Sequence, residues 1–116
     1  LEDPGLLQLV REQLIPLEVC LTSNVQTGVV RNIAEHPAKL YVSTGVPISL
    51  STDNRLMSAV TLTEEYTRAK HALGITKTEL TTIARTGFEH AFMDPATRSN
   101  LLHQFDKHVR DARNQE

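Results

Sequence analysis

Gly45–Val46–Pro47–Ile48–Ser49–Leu50–Ser51–Thr52–Asp53–Asn54 decides how this chain is read. An apolar run of strand type ends abruptly in two hydroxyl residues and then a carboxylate. In parallel α/β architectures the C-terminal end of a buried strand is where chemistry sits. Pro47 is compatible with the strand because it opens it. Asp53 is therefore the candidate for a metal-binding carboxylate. The plainer alternatives are that this acid caps the next helix and that the hydroxyls shape a local turn.

Upstream, Leu17–Glu18–Val19–Cys20–Leu21–Thr22 reads as a nearly continuous apolar strand, of the kind buried on both faces of a parallel sheet. Ser23–Asn24–Val25–Gln26–Thr27–Gly28 reads as a polar loop, with a helical turn through 29–33. His36–Pro37 opens a short helix, which Gly45 closes as a C′ glycine. Helix, strand, short helix, strand is a βαβ grammar, for which parallel strands and a right-handed crossover are the default. At the start, Asp3–Pro4 reads as an N-cap with Pro at the first helical position. Leu6, Leu7, Leu9, Val10 and Leu14 give that helix its stripe, and Pro16 stops it.

After Asp53 the pattern is wholly helical. Thr61–Leu62–Thr63–Glu64 is a capping box whose helix runs to Leu73 before Gly74. Thr76–Lys77–Thr78–Glu79 is a second, and its helix carries Leu80, Ile83, Ala84, Gly87, Phe88 and Ala91. Asp94–Pro95 caps a third, with Leu101, Leu102, Phe105 and Val109 on one face. Residues 110–116 are charged and expected to fray. Glu64 and Glu65 begin a helix, where carboxylates suit the positive end of the dipole; neither is assigned to catalysis.

The 116 residues make one domain or part of one. A hydrophobic content of 40% and a charged content of 22% place the chain among globular sequences. A net charge of -2 with no basic stripe argues against a nucleic-acid partner. No apolar run approaches the roughly 20 residues that span a bilayer. The acidic Leu1–Glu2–Asp3–Pro4 start lacks a signal peptide's basic region, and the missing initiator Met implies a chain cut from something longer. The single cysteine, Cys20, excludes an internal disulfide and fits a cytoplasmic setting. Inside an apolar strand with no histidine nearby in sequence, it reads as a core thiol rather than a nucleophile. Two strands cannot cover both edges and faces of a sheet, so the pattern looks like the end of a larger α/β fold.

The same stretches carry a resemblance. Leu17–Glu18–Val19–Cys20–Leu21–Thr22–Ser23–Asn24–Val25–Gln26–Thr27 resembles the seventh-strand segment of the adenosine deaminase family, and Gly45 to Asp53 resembles its eighth. Leu62–Thr63–Glu64–Glu65–Tyr66 and Ala84–Arg85–Thr86–Gly87–Phe88–Glu89–His90–Ala91–Phe92 are similar to the helices that come next. The resemblance covers essentially the whole chain. It implies an α/β fold: residues 1–116 would be the C-terminal fragment of one TIM (β/α)8 barrel domain, contributing strands seven and eight and the following helices. It also implies zinc-dependent hydrolysis of adenosine to inosine and ammonia, in purine metabolism.

On that resemblance Asp53 is a zinc ligand. Zinc accepts a carboxylate alongside imidazoles and supplies a nucleophile near neutral pH, which attacks C6 of the purine. The family's next residue is usually a second acid that bonds a purine ring nitrogen. Here it is Asn54, whose amide can donate to that nitrogen. Arg55 and Leu21 stand where Pro is common. The run Asp53–Asn54–Arg55–Leu56–Met57 is similar to one in actinobacterial members, so Asn54–Arg55–Leu56–Met57–Ser58 reads as a subgroup variant. Ser23 falls near the metal pocket, as a hydroxyl steadying a ligand or as a plain turn serine.

The rest of the family's machinery is not in these residues: neither His-x-His, nor His-x-x-Glu, nor the histidine beside the metal water. None of the five histidines replaces them. His36 sits at a helix entry, while His71, His90, His103 and His108 come after the last strand. The fragment alone is expected to be inactive and to need the missing N-terminal part of the barrel as its partner. The readings in competition are a deaminase of adenosine, a deaminase of adenine or another aminopurine, and a non-catalytic helical module derived from such a barrel.

Overall fold

The computed structural model describes residues 3–115. Asp3 accepts the Leu6 N–H at 2.9 Å and Pro4 takes the first helical position, so α1 (Pro4–Glu12) starts as expected. It ends before Leu14, earlier than its stripe suggests. Leu14 turns left-handed with φ 50°, and the Ile15 N–H returns to the Val10 carbonyl at 3.0 Å, a Schellman closure ahead of Pro16.

Strand β1 (Leu17–Val19) is shorter than expected. At Cys20 the backbone leaves the strand, and Leu21–Gln26 forms a helix, α2, where the sequence suggested more strand and then a loop. The Asn24 N–H meets the Cys20 carbonyl and the Thr27 hydroxyl meets the Ser23 carbonyl, both at 2.8 Å, while Leu21 turns fully inward. The turn expected over 29–33 falls later, as a 3-10 turn at Ile33–Glu35 capped by Asn32.

Helix α3 (Ala38–Thr44) closes at Gly45, φ 82°, with the Val46 N–H on the Tyr41 carbonyl at 2.9 Å. Strand β2 (Ile48–Leu50) then pairs parallel with β1, in register Leu17↔Ile48, Glu18↔Ser49, Val19↔Leu50. Alternation sends Val19, Ile48 and Leu50 into a core shared with Leu21, Ala38, Val46, Ala69, Ile75 and Ile83. Among the described residues the sheet has these two strands, so each keeps one unpaired edge.

Four helices complete the chain: α4 (Arg55–Ser58), α5 (Leu62–Leu73), α6 (Lys77–Glu89) and α7 (Pro95–Arg113). Both capping boxes form, Gly74 ends α5 with φ 64°, and Asp94 caps α7. Lys39 on α3 reaches Glu79 at 2.7 Å and, with the Thr76 cap, draws that carboxyl down to about 2. Arg85 on α6 forks onto Asp106 of α7 at 3.0 and 3.2 Å, and Phe88 meets Phe105 with ring centroids 5.4 Å apart. Residues 110–113 remain helical rather than frayed, with Arg110 and Arg113 at the negative end of the α7 dipole. Glu116 lies outside the described residues.

Candidate metal centre

The two parallel strands end side by side, and the segments beyond their ends meet. The Ser51 N–H bonds the Val19 carbonyl at 2.9 Å, so pairing continues one residue past β2. Thr52 and Asp53 then turn away. Asp53 adopts a left-handed conformation, φ 55°, with its N–H on Ser51 Oγ at 3.3 Å. Such a conformation is uncommon for a residue with a side chain, though Asp tolerates it better than most. It leaves the carboxylate exposed just beyond the strand end.

Ser23, buried in the first turn of α2, donates its hydroxyl to Asp53 Oδ2 at 2.9 Å. Oδ1 accepts no hydrogen bond from the described residues. One oxygen of the acid is thus oriented and the other is open, the geometry of a carboxylate that can bind a cation. The alternative that Asp53 caps the next helix is not what the structure shows. Asn54 caps α4, its Oδ1 accepting the Leu56 and Met57 N–H groups at 3.1 Å each. Among the described residues the Asn54 amide nitrogen, beside Asp53, has no acceptor.

Cys20 lies just past β1, half-buried, at the N-cap of α2 rather than within a strand. Burial raises its thiol pKa, against a lowering hydrogen bond from Ser51 and with Asp53 adding to the rise. A neutral thiol is what these surroundings favour. A cleft of about 490 Å³ opens beside the strand end, lined in part by Ser51, Thr52 and Arg55. An adjoining groove of about 560 Å³ between β2, α5 and α6, which shares Leu50, Leu62 and Thr63 with that cleft, has no carboxylate, imidazole or thiol in its lining.

No group of three or more His, Cys, Asp or Glu among the described residues could hold a metal ion. Asp53 fits as one ligand and no more. The histidines stand apart. His36 is buried, its Nδ1 accepting the Ala38 N–H at 3.1 Å and its Nε2 therefore donating to Asn24 Oδ1 at 3.0 Å. Burial lowers its pKa, with Glu65 pulling weakly upward. Both ring nitrogens are in use. His71, His90, His103 and His108 are exposed, on or at the ends of α5, α6 and α7.

Sequence reasoning passed over one residue. Glu65 is fully buried and accepts the Thr22 N–H on both carboxylate oxygens, at 3.2 and 3.3 Å, and the Thr22 hydroxyl on Oε1. The signal was available, since Glu65 shares the inner stripe of α5 with Tyr66, Ala69 and Leu73.

The sequence profile described as adenosine deaminase matches residues 1–108. An aminodeoxyfutalosine deaminase of Streptomyces coelicolor is 37% identical over 93% of this chain and 28% of its own length. An adenosine deaminase of Clostridium acetobutylicum is 39% identical over 87% of this chain and 30% of its own length. The chain thus spans under a third of the curated relatives it matches. Among solved structures, an adenine deaminase from Arthrobacter aurescens superposes with TM-score 0.86 at 23% identity, over 94% of this chain and 33% of that one. At that identity it shows the fold: two parallel strands and the helices after them, as in the C-terminal part of a TIM barrel. An N6-methyl-AMP deaminase from Arabidopsis thaliana gives TM-score 0.81 at 28% identity, over 90% of this chain and 31% of that one. The strand-end acid, the helices behind it and a profile match over nearly every residue agree, and the chain belongs to the adenosine deaminase family.

Proposed function

We propose that these residues form part of a zinc-dependent hydrolytic deaminase acting on adenosine and deoxyadenosine. Water replaces the exocyclic amine, giving inosine or deoxyinosine and ammonia. The observation that carries this is the Asp53 carboxylate at the end of β2, held on Oδ2 by Ser23 with Oδ1 open. Zinc, when bound, supplies a nucleophile at neutral pH. Asp53 would contribute one ligand to it. The Ser23 hydroxyl fixes which carboxylate oxygen is presented. The Asn54 amide donates to a purine ring nitrogen while its oxygen stays committed to α4. Residues 1–116 belong to one barrel domain whose remaining ligands come from other polypeptide of that barrel, and the fragment alone is inactive. No helix among the described residues is long and apolar enough to cross a membrane. The proposed reaction belongs to cytoplasmic purine metabolism.

A second reading, an aminodeoxyfutalosine-type substrate, is favoured by the Streptomyces relative's 93% coverage of the chain. Ammonia release from each substrate by the complete protein separates the two. The site itself is tested by Asp53→Ala in that protein, which should abolish turnover and lower zinc content below one equivalent. Full turnover by Asp53→Ala would end the assignment, as would one tightly held zinc on residues 1–116 alone.

A further inference from the structure

We propose that Glu65 is a positioning residue for the metal-binding carboxylate, acting through Thr22 and Ser23; this rests on Asp53 being a ligand. Helix α2 is six residues long, and its N-cap, Cys20, makes no side-chain capping bond. A helix so short does not hold itself, and its first N–H groups need acceptors. Glu65 provides one from 43 residues away in sequence. It takes the Thr22 N–H on both oxygens and the Thr22 hydroxyl on one, while Arg68 donates to that same hydroxyl oxygen. Arg68 also stands 4.0 Å from Glu65 Oε1. Ser23 is the next residue, and its hydroxyl reaches Asp53 Oδ2 at 2.9 Å.

The path therefore runs from Glu65 to the Thr22 backbone, to the Ser23 hydroxyl, to the carboxylate that meets the metal. Stability alone is a poor reason for a fully buried acid, since apolar residues of similar size commonly serve as well. Partners that orient metal ligands change metal affinity when removed. The far side of α2 has its own tie, His36 to Asn24 at 3.0 Å, so loss of Glu65 should loosen the Ser23 end without unfolding the helix.

The test is Glu65→Gln in the complete protein. Glutamine keeps the size but turns an NH2 toward donors. Zinc affinity, read by competition with a chelator, should fall about 10- to 100-fold. kcat should fall while KM stays within roughly twofold, because Asn54 is untouched. In a Ser23→Ala background Glu65→Gln should cause no further loss of zinc affinity, which a merely structural role would not predict. Wild-type zinc affinity in Glu65→Gln, or losses that add to those of Ser23→Ala, overturn the proposal. Asp53→Ala run beside them separates the two claims, because zinc retained by Asp53→Ala overturns the ligand reading itself. Where Glu65→Gln does not fold, Thr22→Val removes only the hydroxyl link. Zinc affinity should then fall about 2- to 10-fold, and unchanged affinity overturns the proposal.

Discussion

In the proposed function Asn54 does two things, and one substitution separates them. Its Oδ1 caps α4 through two bonds of 3.1 Å, while its amide nitrogen, with no acceptor among the described residues, is the group proposed to meet the purine. Helix α4 has little else to hold it, since Leu56 is 92% and Met57 80% exposed and Ser58 is its one buried residue. Asn54→Ser preserves a capping oxygen and removes the amide. Stability should change by no more than about 0.5 kcal/mol, because Ser and Asn cap almost equally well. Leaving a purine nitrogen without its donor in a dry site costs about 1–3 kcal/mol. At 1.4 kcal/mol per tenfold, kcat/KM should drop about 5- to 150-fold. Asn54→Ala should show the same kinetic loss and lose about 1 kcal/mol of stability besides. The assays are steady-state deamination and urea denaturation of the complete protein. Wild-type kcat/KM in Asn54→Ser would show that the residue is only a cap.

Two further outcomes concern the surroundings of the site. Gly45→Ala places a methyl in open space, with no heavy atom within 4 Å, yet at φ 82°. Backbone strain alone should cost about 1–2 kcal/mol, seen as a lower urea midpoint at unchanged m-value. His36 is held neutral by burial, below its ordinary value of 6.5. As pH falls through 6.5 the unfolded chain takes up a proton that the folded chain refuses, so stability falls with pH there. His36→Gln should flatten the decline in urea midpoint between about pH 7 and 5, and an unchanged slope would refute the neutral, doubly bonded imidazole.

The parts of this fold that were legible in sequence are those decided within one turn of chain. Asp3, Thr61, Thr76 and Asp94 each find their N–H partner three residues on, so the helix starts were readable. Gly45 and Gly74 mark helix ends for an equally local reason, their positive φ. Leu14 ends α1 in the same conformation without being glycine, and its stop was misplaced accordingly. Helix α2 was missed because six residues are too few to show a helical period, and because its start is secured by Glu65 rather than by its own cap. At the site, Asp53 and Asn54 were visible as residues, but not the division of labour between them. That depends on the left-handed turn at Asp53, which passes the capping role to Asn54.

The tie between Thr22 and Glu65 spans 43 residues, and it has a consequence for how the protein is made. Ribosomes add about 5–20 residues per second, so Glu65 is synthesised about 2–9 s after Thr22. Late in that interval both strands and Asp53 exist, but the turn that presents Ser23 has no anion at its head. Assembly of the mouth is thus timed by the arrival of α5, and a ribosome stalled shortly before residue 65 would hold a nascent chain in which the Thr22 turn beside Asp53 still lacks its acceptor.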